Sequence, residues 1–167
     1  MRAICWNCRG ICNALTVRAL KAQISGISPN FIFLCKTKAS DKKMQEVVEK
    51  LGFHHRFVVD AKGKAGGLAI LWKFESSVRI LEYNKNLIAI KISDPVCDWV
   101  LVGFYEPPYP SKKAKAWQNL AALLESVQCP WVCFGDFNYT LSQEDISGGS
   151  TSGHSATNHL SDLMFEF

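Results

Sequence analysis

The stretch of sequence that decides the fold is residues 131–138, WVCFGDFN. Four apolar residues are followed directly by glycine, aspartate, phenylalanine and asparagine, which is typical of a buried strand that ends in a polar turn. Ligands bind open sheets beside such strand ends. Asp136 can accept a proton from water, and Asn138, two residues further on, can donate to a phosphate oxygen from the same side. An ordinary turn is the alternative, because glycine, aspartate and asparagine all favour turns.

Two other predicted strands end in a similar way. An apolar stretch over residues 2–7 ends at Asn7 and is followed by Cys-Arg-Gly, and another ends at Tyr105, shortly before three prolines. An asparagine side chain can bind a metal or a phosphate, and a tyrosine hydroxyl can donate a hydrogen bond to a phosphate. Each stretch alone is also explained as a turn or an aromatic strand end. Polar side chains at three strand ends indicate a site more specifically than any one of them.

The surrounding pattern of apolar residues predicts alternating strands and helices, then a meander, then one more helix and strand. This order indicates an α/β (α+β) fold. Strands are expected at 2–7, 31–35 and 131–134, with four or five more within 53–105, including a hairpin of 78–81 with 88–92. Helices are expected at 14–25, 41–51 and 113–127, a Ser/Gly-rich loop at 142–155 and a last helical segment at 156–165.

Composition and charge narrow the class of protein. A chain of 167 residues, 48% hydrophobic, is long enough for one domain with its own core. It lacks an apolar run of membrane-spanning length and a secretory signal, so we expect an intracellular protein, nuclear or cytoplasmic, with seven free thiols and no membrane partner. Residues 1–115 carry a net charge of +10 and residues 116–167 one of −6. This asymmetry favours a basic surface that faces a polyanion, with DNA expected and RNA as the alternative.

Four motifs, in this order, carry a resemblance to a known superfamily. The chain resembles the endonuclease/exonuclease/phosphatase superfamily, and more narrowly the apurinic-type endonuclease domain of plant non-LTR (LINE-type) retrotransposon polyproteins. The resemblance implies a DNase I-like sandwich of two sheets flanked by helices. It also implies phosphodiester hydrolysis supported by Mg²⁺, or Mn²⁺ in its place, with no other cofactor. The motifs are WNCRG at 6–10, GGLAILW at 66–72, GFY at 103–105 with Pro108, and PWVCFGDFN at 130–138.

The resemblance also implies roles for individual residues. Asn7 and Asp136 are expected in the metal and phosphate site, with Asp136 orienting or deprotonating the attacking water. Asn138 and Tyr105 are expected to hold the phosphate. Such chemistry depends on positioning and charge neutralisation. On the basic part of the chain, Arg9, Lys38 and Lys64 are expected to contact nucleic acid, and a solvated surface is the alternative for these cations.

One departure from the superfamily pattern lies at Lys36. The resemblance implies Leu-x-Glu-Thr-Lys, whose glutamate is the main metal ligand, whereas residues 34–38 read LCKTK. An ammonium about 4 Å from Mg²⁺ would repel it by about 8 kcal/mol at an effective dielectric constant of about 20. We therefore expect impaired catalysis, and contact of Lys36 with phosphate as a point charge is the alternative. Glu106 is a smaller departure, expected to add negative charge beside Tyr105.

A second departure is the end of the sequence. The resemblance implies further strands and a closing Ser-Asp-His motif, whereas residues 158–162, NHLSD, hold these residue types in another order. Residues 1–167 are therefore expected to form a single, incomplete domain, with a sheet edge that can pair with another chain. The function expected is that of a catalytically impaired, retroelement-derived nuclease. A non-catalytic nucleic-acid-binding remnant and a protein-interaction remnant are the alternatives.

The cysteines give one further alternative, which is structural zinc. Three cysteines near the N-terminus have Cys-x₂-Cys-x₃-Cys spacing, and a histidine elsewhere could complete a zinc ligand set. Against zinc, a cysteine inside a predicted strand is more often a small buried apolar residue. The residues in question are Cys5, Cys8 and Cys12, with His54, His55 or His154.

Overall fold

Two four-stranded sheets carry the fold in the computed structural model, which describes residues 1–63, 65–73, 77–138 and Leu163. The strands of the described part are β1 (Ala3–Asn7), β2 (Phe31–Cys35), β3 (His55–Val59), β4 (Leu68–Trp72), β5 (Ser77–Tyr83), β6 (Leu87–Ser93), β7 (Asp98–Tyr105) and β8 (Trp131–Asp136). The helices are α1 (Ala14–Ile27), α2 (Asp41–Leu51) and α3 (Pro110–Ser126). The predicted loop at 142–155 lies outside the described residues, as does the predicted helix at 156–165 apart from Leu163.

Each sheet contains one parallel pair of strands. The first sheet has the order β1-β2-β4-β3, in which β1 and β2 are parallel and the other pairs antiparallel. The second has the order β5-β6-β7-β8, in which β7 and β8 are parallel. A parallel pair needs a crossover, and α1 and α3 supply the two crossovers. The predicted hairpin is confirmed as the pair β5–β6, and residues 53–105 contain five strands.

The inner core lies between the two sheets and follows the period of two along the strands. On β2, Phe31, Phe33 and Cys35 face the second sheet, which in turn contributes Ile88, Ile90 and Ile92 of β6. All six are buried. The two sheets therefore pack as a sandwich, as the resemblance implied.

Helices cover the outer faces of the sandwich. The apolar side of α2 (Met44, Val47, Val48 and Leu51) packs on the first sheet together with Leu20 and Ile24 of α1. On the other side, α3 packs against the second sheet. In the described part of the chain, none of the three helices has the length and apolar character needed to cross a membrane.

The predicted start of α3 at residue 113 is wrong. The helix begins three residues earlier, at Pro110, directly after Tyr109. Proline lacks an amide proton, but the first residues of a helix have no intrahelical acceptor for theirs, so proline fits there. At the end of α1, two residues beyond the predicted end, Ser28 caps the helix in a left-handed conformation (φ 50°), and Pro29 follows.

The closest approach of the two sheets suggests a stability test. A methyl group at Gly103 of β7 would overlap the ring of Phe33 on β2. We expect Gly103→Ala to lower the free energy of unfolding by about 1–3 kcal/mol, because overpacking shifts buried neighbours. The measurement is urea denaturation followed by circular dichroism. Gly26→Ala is the control, since a methyl there meets no atom within 4 Å and alanine favours the helix. Equal stability of Gly103→Ala and wild type would contradict the expected close packing.

Candidate active site

The ends of four strands meet at one edge of the sandwich. The parallel strands β1 and β2 end there in the first sheet, and β7 and β8 end there in the second. Asn7 is the last residue of β1 and Asp136 the last of β8. The Asn7 Nδ2 amide donates a hydrogen bond of 2.7 Å to Asp136 Oδ2. Two of the predicted site residues, 129 positions apart in sequence, are thus in direct contact across the two sheets.

Asn7 and Asp136 differ in how fully their oxygens are paired. Asp136 Oδ1 accepts a hydrogen bond from the backbone amide of Asn138, at 3.2 Å. Asn7 Oδ1 is buried and has no hydrogen-bond partner in the described part of the chain. A buried polar atom without a partner is costly, and it often indicates a ligand that is not present. The pair therefore leaves an open acceptor at the edge of the sandwich.

Tyr105 lies next to Asp136, since the two residues are register partners at the end of the β7–β8 pair. The side chain is buried, with the residue only 7% exposed. Burial raises the pKa of the Tyr105 hydroxyl to about 12, and the negative charge of Asp136 contributes further. The hydroxyl therefore remains protonated at neutral pH and can serve as a hydrogen-bond donor.

The raised pKa of Tyr105 gives a testable dependence of stability on pH. The ordinary tyrosine pKa of 10 applies to the unfolded chain, so unfolding above that pH releases a proton that the native state keeps. The stability contributed by Tyr105 is complete below pH 10 and is lost as pH rises toward 12. We expect wild type to lose stability more steeply than Tyr105→Phe over this range, as measured by urea denaturation at successive pH values. Parallel curves would contradict the raised pKa.

Asn138 is placed differently from the prediction. The prediction assumed an extended strand, but β8 ends at Asp136 and Asn138 is left-handed, with φ 43°. The alternation of side chains along a strand therefore does not apply. Asn138 Nδ2 donates a 2.6 Å hydrogen bond to the Glu106 carbonyl oxygen. Asn138 remains beside Asp136 through its backbone, while its side-chain amide already has one partner within the protein.

Glu106 adds the negative charge expected beside Tyr105, since its carboxylate is one of the groups that raise the pKa of the Tyr105 hydroxyl. Its carboxylate is buried against α3, where it accepts hydrogen bonds from Lys113 Nζ at 2.6 Å and from Trp117 Nε1 at 2.7 Å. The ion pair with Lys113 offsets part of this charge, and Glu106 makes a smaller contribution to the raised pKa of Tyr105 than burial and Asp136 do. Glu106 joins the end of β7 to α3.

Substitutions of Glu106 and of Asp41 allow a buried ion pair to be compared with an exposed one. Removing the buried Glu106 carboxylate leaves Lys113 without its ion partner, so we expect Glu106→Ala to lower the free energy of unfolding by about 3–5 kcal/mol. The control is Asp41→Ala, which breaks the ion pair of a half-exposed carboxylate with Arg56. Exposed pairs contribute about 1 kcal/mol or less. Thermal or urea denaturation measures both, and similar losses would contradict a structural role for Glu106.

Lys36 follows directly after β2, at the same edge. Its side chain is half-buried, and its Nζ atom lies 5.1 Å from the centroid of the Tyr105 ring. Within the described residues, Lys36 forms no salt bridge with a carboxylate. The ammonium therefore lies over Tyr105, at the strand end where the resemblance implies a glutamate.

Arg9 and Lys38 lie in the exposed loops that follow β1 and β2. Backbone hydrogen bonds tie these loops together: Gly10 N donates to Lys36 O at 2.9 Å, and Lys38 N donates to Gly66 O at 3.0 Å. Both cations are therefore at the rim of the site. Their contact with nucleic acid stays a prediction, and Lys64 lies outside the described residues.

Left-handed backbone is concentrated around this site. The described residues include five non-glycine residues with positive φ, and four of them are at this edge. Such conformations store strain and tend to cluster at functional sites. Residue type gave no signal for the lysines and the arginine, which do not favour positive φ, whereas asparagine commonly adopts it. The four residues are Arg9, Lys36, Lys38 and Asn138.

Comparison with known proteins agrees with this arrangement. The sequence matches the Endonuclease/Exonuclease/phosphatase family over residues 4–164. The chain belongs to this family. A search of the curated proteins finds no match.

Solved structures with a fold similar to that of this chain include two AP endonucleases and a 3′ phosphatase. An AP endonuclease from Archaeoglobus fulgidus has a TM-score of 0.65 at 19% identity, covering 87% of this chain and 59% of its own. AP endonuclease LMAP from Leishmania major has 0.57 at 15%, covering 82% and 55%. The 3′ phosphatase NExo from Neisseria, bound to a product DNA hairpin, has 0.62 at 16%, covering 85% and 60%. The expected DNase I-like fold is confirmed, and the chain spans about 60% of the length of these structures.

The donor set at the site of this family member does not fit a divalent ion well. Mg²⁺ is usually held by one or two carboxylates together with water. Among the described residues at the four strand ends, Asp136 supplies a carboxylate and Asn7 supplies an unpaired amide oxygen. Nowhere in the described part do three His, Cys, Asp or Glu side chains group as metal ligands would. Lys36 stands where the resemblance implies a glutamate ligand, and an ammonium cannot bind a metal ion. The described residues therefore do not make a complete ligand set.

The zinc alternative is wrong for the described residues. Cys5 packs between the two sheets, Cys8 is buried under the helices, and Cys12 is exposed, so the three thiols point to different surroundings. Burial raises the pKa of the Cys8 thiol to about 12, which opposes the thiolate that zinc needs. His55 stacks on Trp72 at the far end of β4. His154 lies outside the described residues.

Proposed function

We propose that the chain is a nuclease-like domain that binds DNA and in which phosphodiester hydrolysis is impaired. The observation that carries the proposal is the position of Lys36. An ammonium stands at the end of β2, over Tyr105, in a site that otherwise keeps the paired Asn7 and Asp136. The polar groups that can orient a water and a phosphate are present, whereas the charge that would hold a divalent ion is reversed.

The remaining side chains explain why hydrolysis would be slow. Asp136 can accept a proton from water, and the protonated Tyr105 hydroxyl can donate to a phosphate oxygen. A bound divalent ion would lower the pKa of that water and neutralise the phosphate. Catalytic groups that act as a unit lose most of their effect when one is removed. Asp136 by itself is therefore expected to support little cleavage.

The charge distribution supports DNA as the partner. The net charge of +10 on residues 1–115 includes Arg9, Lys36 and Lys38 at the site. Phosphate contacts of this kind provide most of the sequence-independent affinity for DNA. Among the structural relatives, the Neisseria phosphatase is bound to a DNA hairpin, which is consistent with the same class of ligand.

The proposal includes an origin in a LINE-type retrotransposon polyprotein of a plant. The four ordered motifs of residues 6–10, 66–72, 103–105 and 130–138 support it. In the structure, these motifs contribute the ends of β1, β7 and β8 and the turn before β4.

Nicking of supercoiled plasmid tests the proposal. Wild type and Asp136→Ala are incubated in parallel with plasmid in Mg²⁺ or Mn²⁺, after circular dichroism has confirmed that both are folded. We expect nicking by wild type to stay within about twofold of the variant, because a single carboxylate cannot replace a metal-centred unit. In parallel, a gel shift with duplex DNA should show binding that weakens as salt rises.

The two assays separate the two halves of the proposal. Efficient nicking by wild type, abolished in Asp136→Ala, would show that catalysis is intact and that Lys36 is tolerated. Absence of any salt-dependent DNA binding by the folded wild type would reject the binding function.

A further inference from the structure

We infer that Lys36 takes the place of a divalent ion and binds a DNA phosphate at this site without any metal. This inference rests on the proposed DNA-binding function, and it names Lys36 as the side chain that contacts the phosphate. The donor set argues against a divalent ion, and the same position holds a fixed positive charge. A positive charge stabilises a bound DNA phosphate, and a lysine ammonium can provide that charge in place of a metal ion.

The Lys36 ammonium is held in place and is available to a ligand. It is half-buried, lies over the Tyr105 ring at 5.1 Å and forms no salt bridge within the described part of the chain. By contrast, Lys91 and Lys113 are paired with Asp98 and Glu106. A cation over an aromatic face keeps its charge and its hydrogen-bond donors. Lys36 is thus a positioned cation with no counter-ion among the residues that the structure describes.

Tyr105 places this cation next to the other polar groups. The Lys36 ammonium lies over its ring, and Asp136 is its neighbour across the β7–β8 pair. The Tyr105 hydroxyl is a second donor for a phosphate oxygen. The Asp136 carboxylate would repel a phosphate, so the positive charge of Lys36 is needed at this point to offset it. Arg9 and Lys38 add positive charge at the rim.

The matched control is Lys73. Its Nζ atom lies 5.2 Å from the centroid of the Phe53 ring, and its side chain is also half-buried. It follows β4 at the opposite edge of the first sheet, where Trp72 pairs with Phe31 at the start of β2. Lys36→Met and Lys73→Met therefore remove the same charge from the same kind of aromatic contact, at the site and away from it.

The experiment measures affinity for a fluorescent DNA duplex of about 20 base pairs by anisotropy, with EDTA and with Mg²⁺, over a series of salt concentrations. Wild type should bind in EDTA, and added Mg²⁺ should not strengthen its binding, since Mg²⁺ acts only as a competing counter-ion of DNA. Lys36→Met should weaken binding about tenfold and lower the slope of log affinity against log salt by about 0.9, the value for one phosphate contact. Lys73→Met should change neither, and Lys36→Arg should retain most of the affinity because it keeps the charge.

A charge-reversal variant completes the test. Lys36→Glu restores the carboxylate that the family resemblance implies, so its binding should be weak in EDTA and should recover in Mg²⁺. Binding by wild type that requires Mg²⁺, or equal effects of Lys36→Met and Lys73→Met, would overturn the inference while leaving the DNA-binding proposal intact. Absence of binding by folded wild type under all conditions would instead reject the proposed function itself.

Discussion

Contact between Phe33 and Gly103 determines how closely the two sheets approach, and the site depends on that separation. Facing sheets commonly lie about 10 Å apart. Because Gly103 has no side chain, the ring of Phe33 packs directly on the backbone of β7. At one edge of the same two sheets, Asn7, at the end of a strand in one, reaches Asp136, at the end of a strand in the other, with a hydrogen bond of 2.7 Å. Packing in the core thus sets the geometry of the polar edge.

Two carboxylates near this edge, those of Glu106 and Asp136, have different surroundings. Glu106 is close in sequence to Tyr105, but its carboxylate is paired with Lys113 and serves to attach α3. Asp136 keeps its carboxylate at the edge, where Asn7 and the backbone of Asn138 donate to it. Among the described residues, the carboxylate of Asp136 and the ammonium of Lys36 therefore bring opposite charges to the same edge.

Much of the fold could be predicted from the sequence because it depends on local patterns. A continuous apolar run correctly located β2, the predicted hairpin correctly located β6, and the motif at 131–138 correctly indicated a polar strand end. Contacts between distant segments could not be predicted in this way. The pairing of Glu106 with Trp117 crosses a proline-containing connection, and the left-handed conformation of Lys36 arises from hydrogen bonds between loops. Neither has a local signature in residue type or spacing.

The backbone hydrogen bonds around residue 36 have a consequence for how the site can evolve. Main-chain hydrogen bonds link the loop after β2 to its neighbours, as from Gly10 N to Lys36 O at 2.9 Å and from Thr37 N to Gly67 O at 3.1 Å. These bonds do not depend on the identity of the side chain at position 36. Selection can therefore exchange an acid for a base there with little penalty to folding, so the chemistry of the family can be lost or altered by a single codon while the architecture persists.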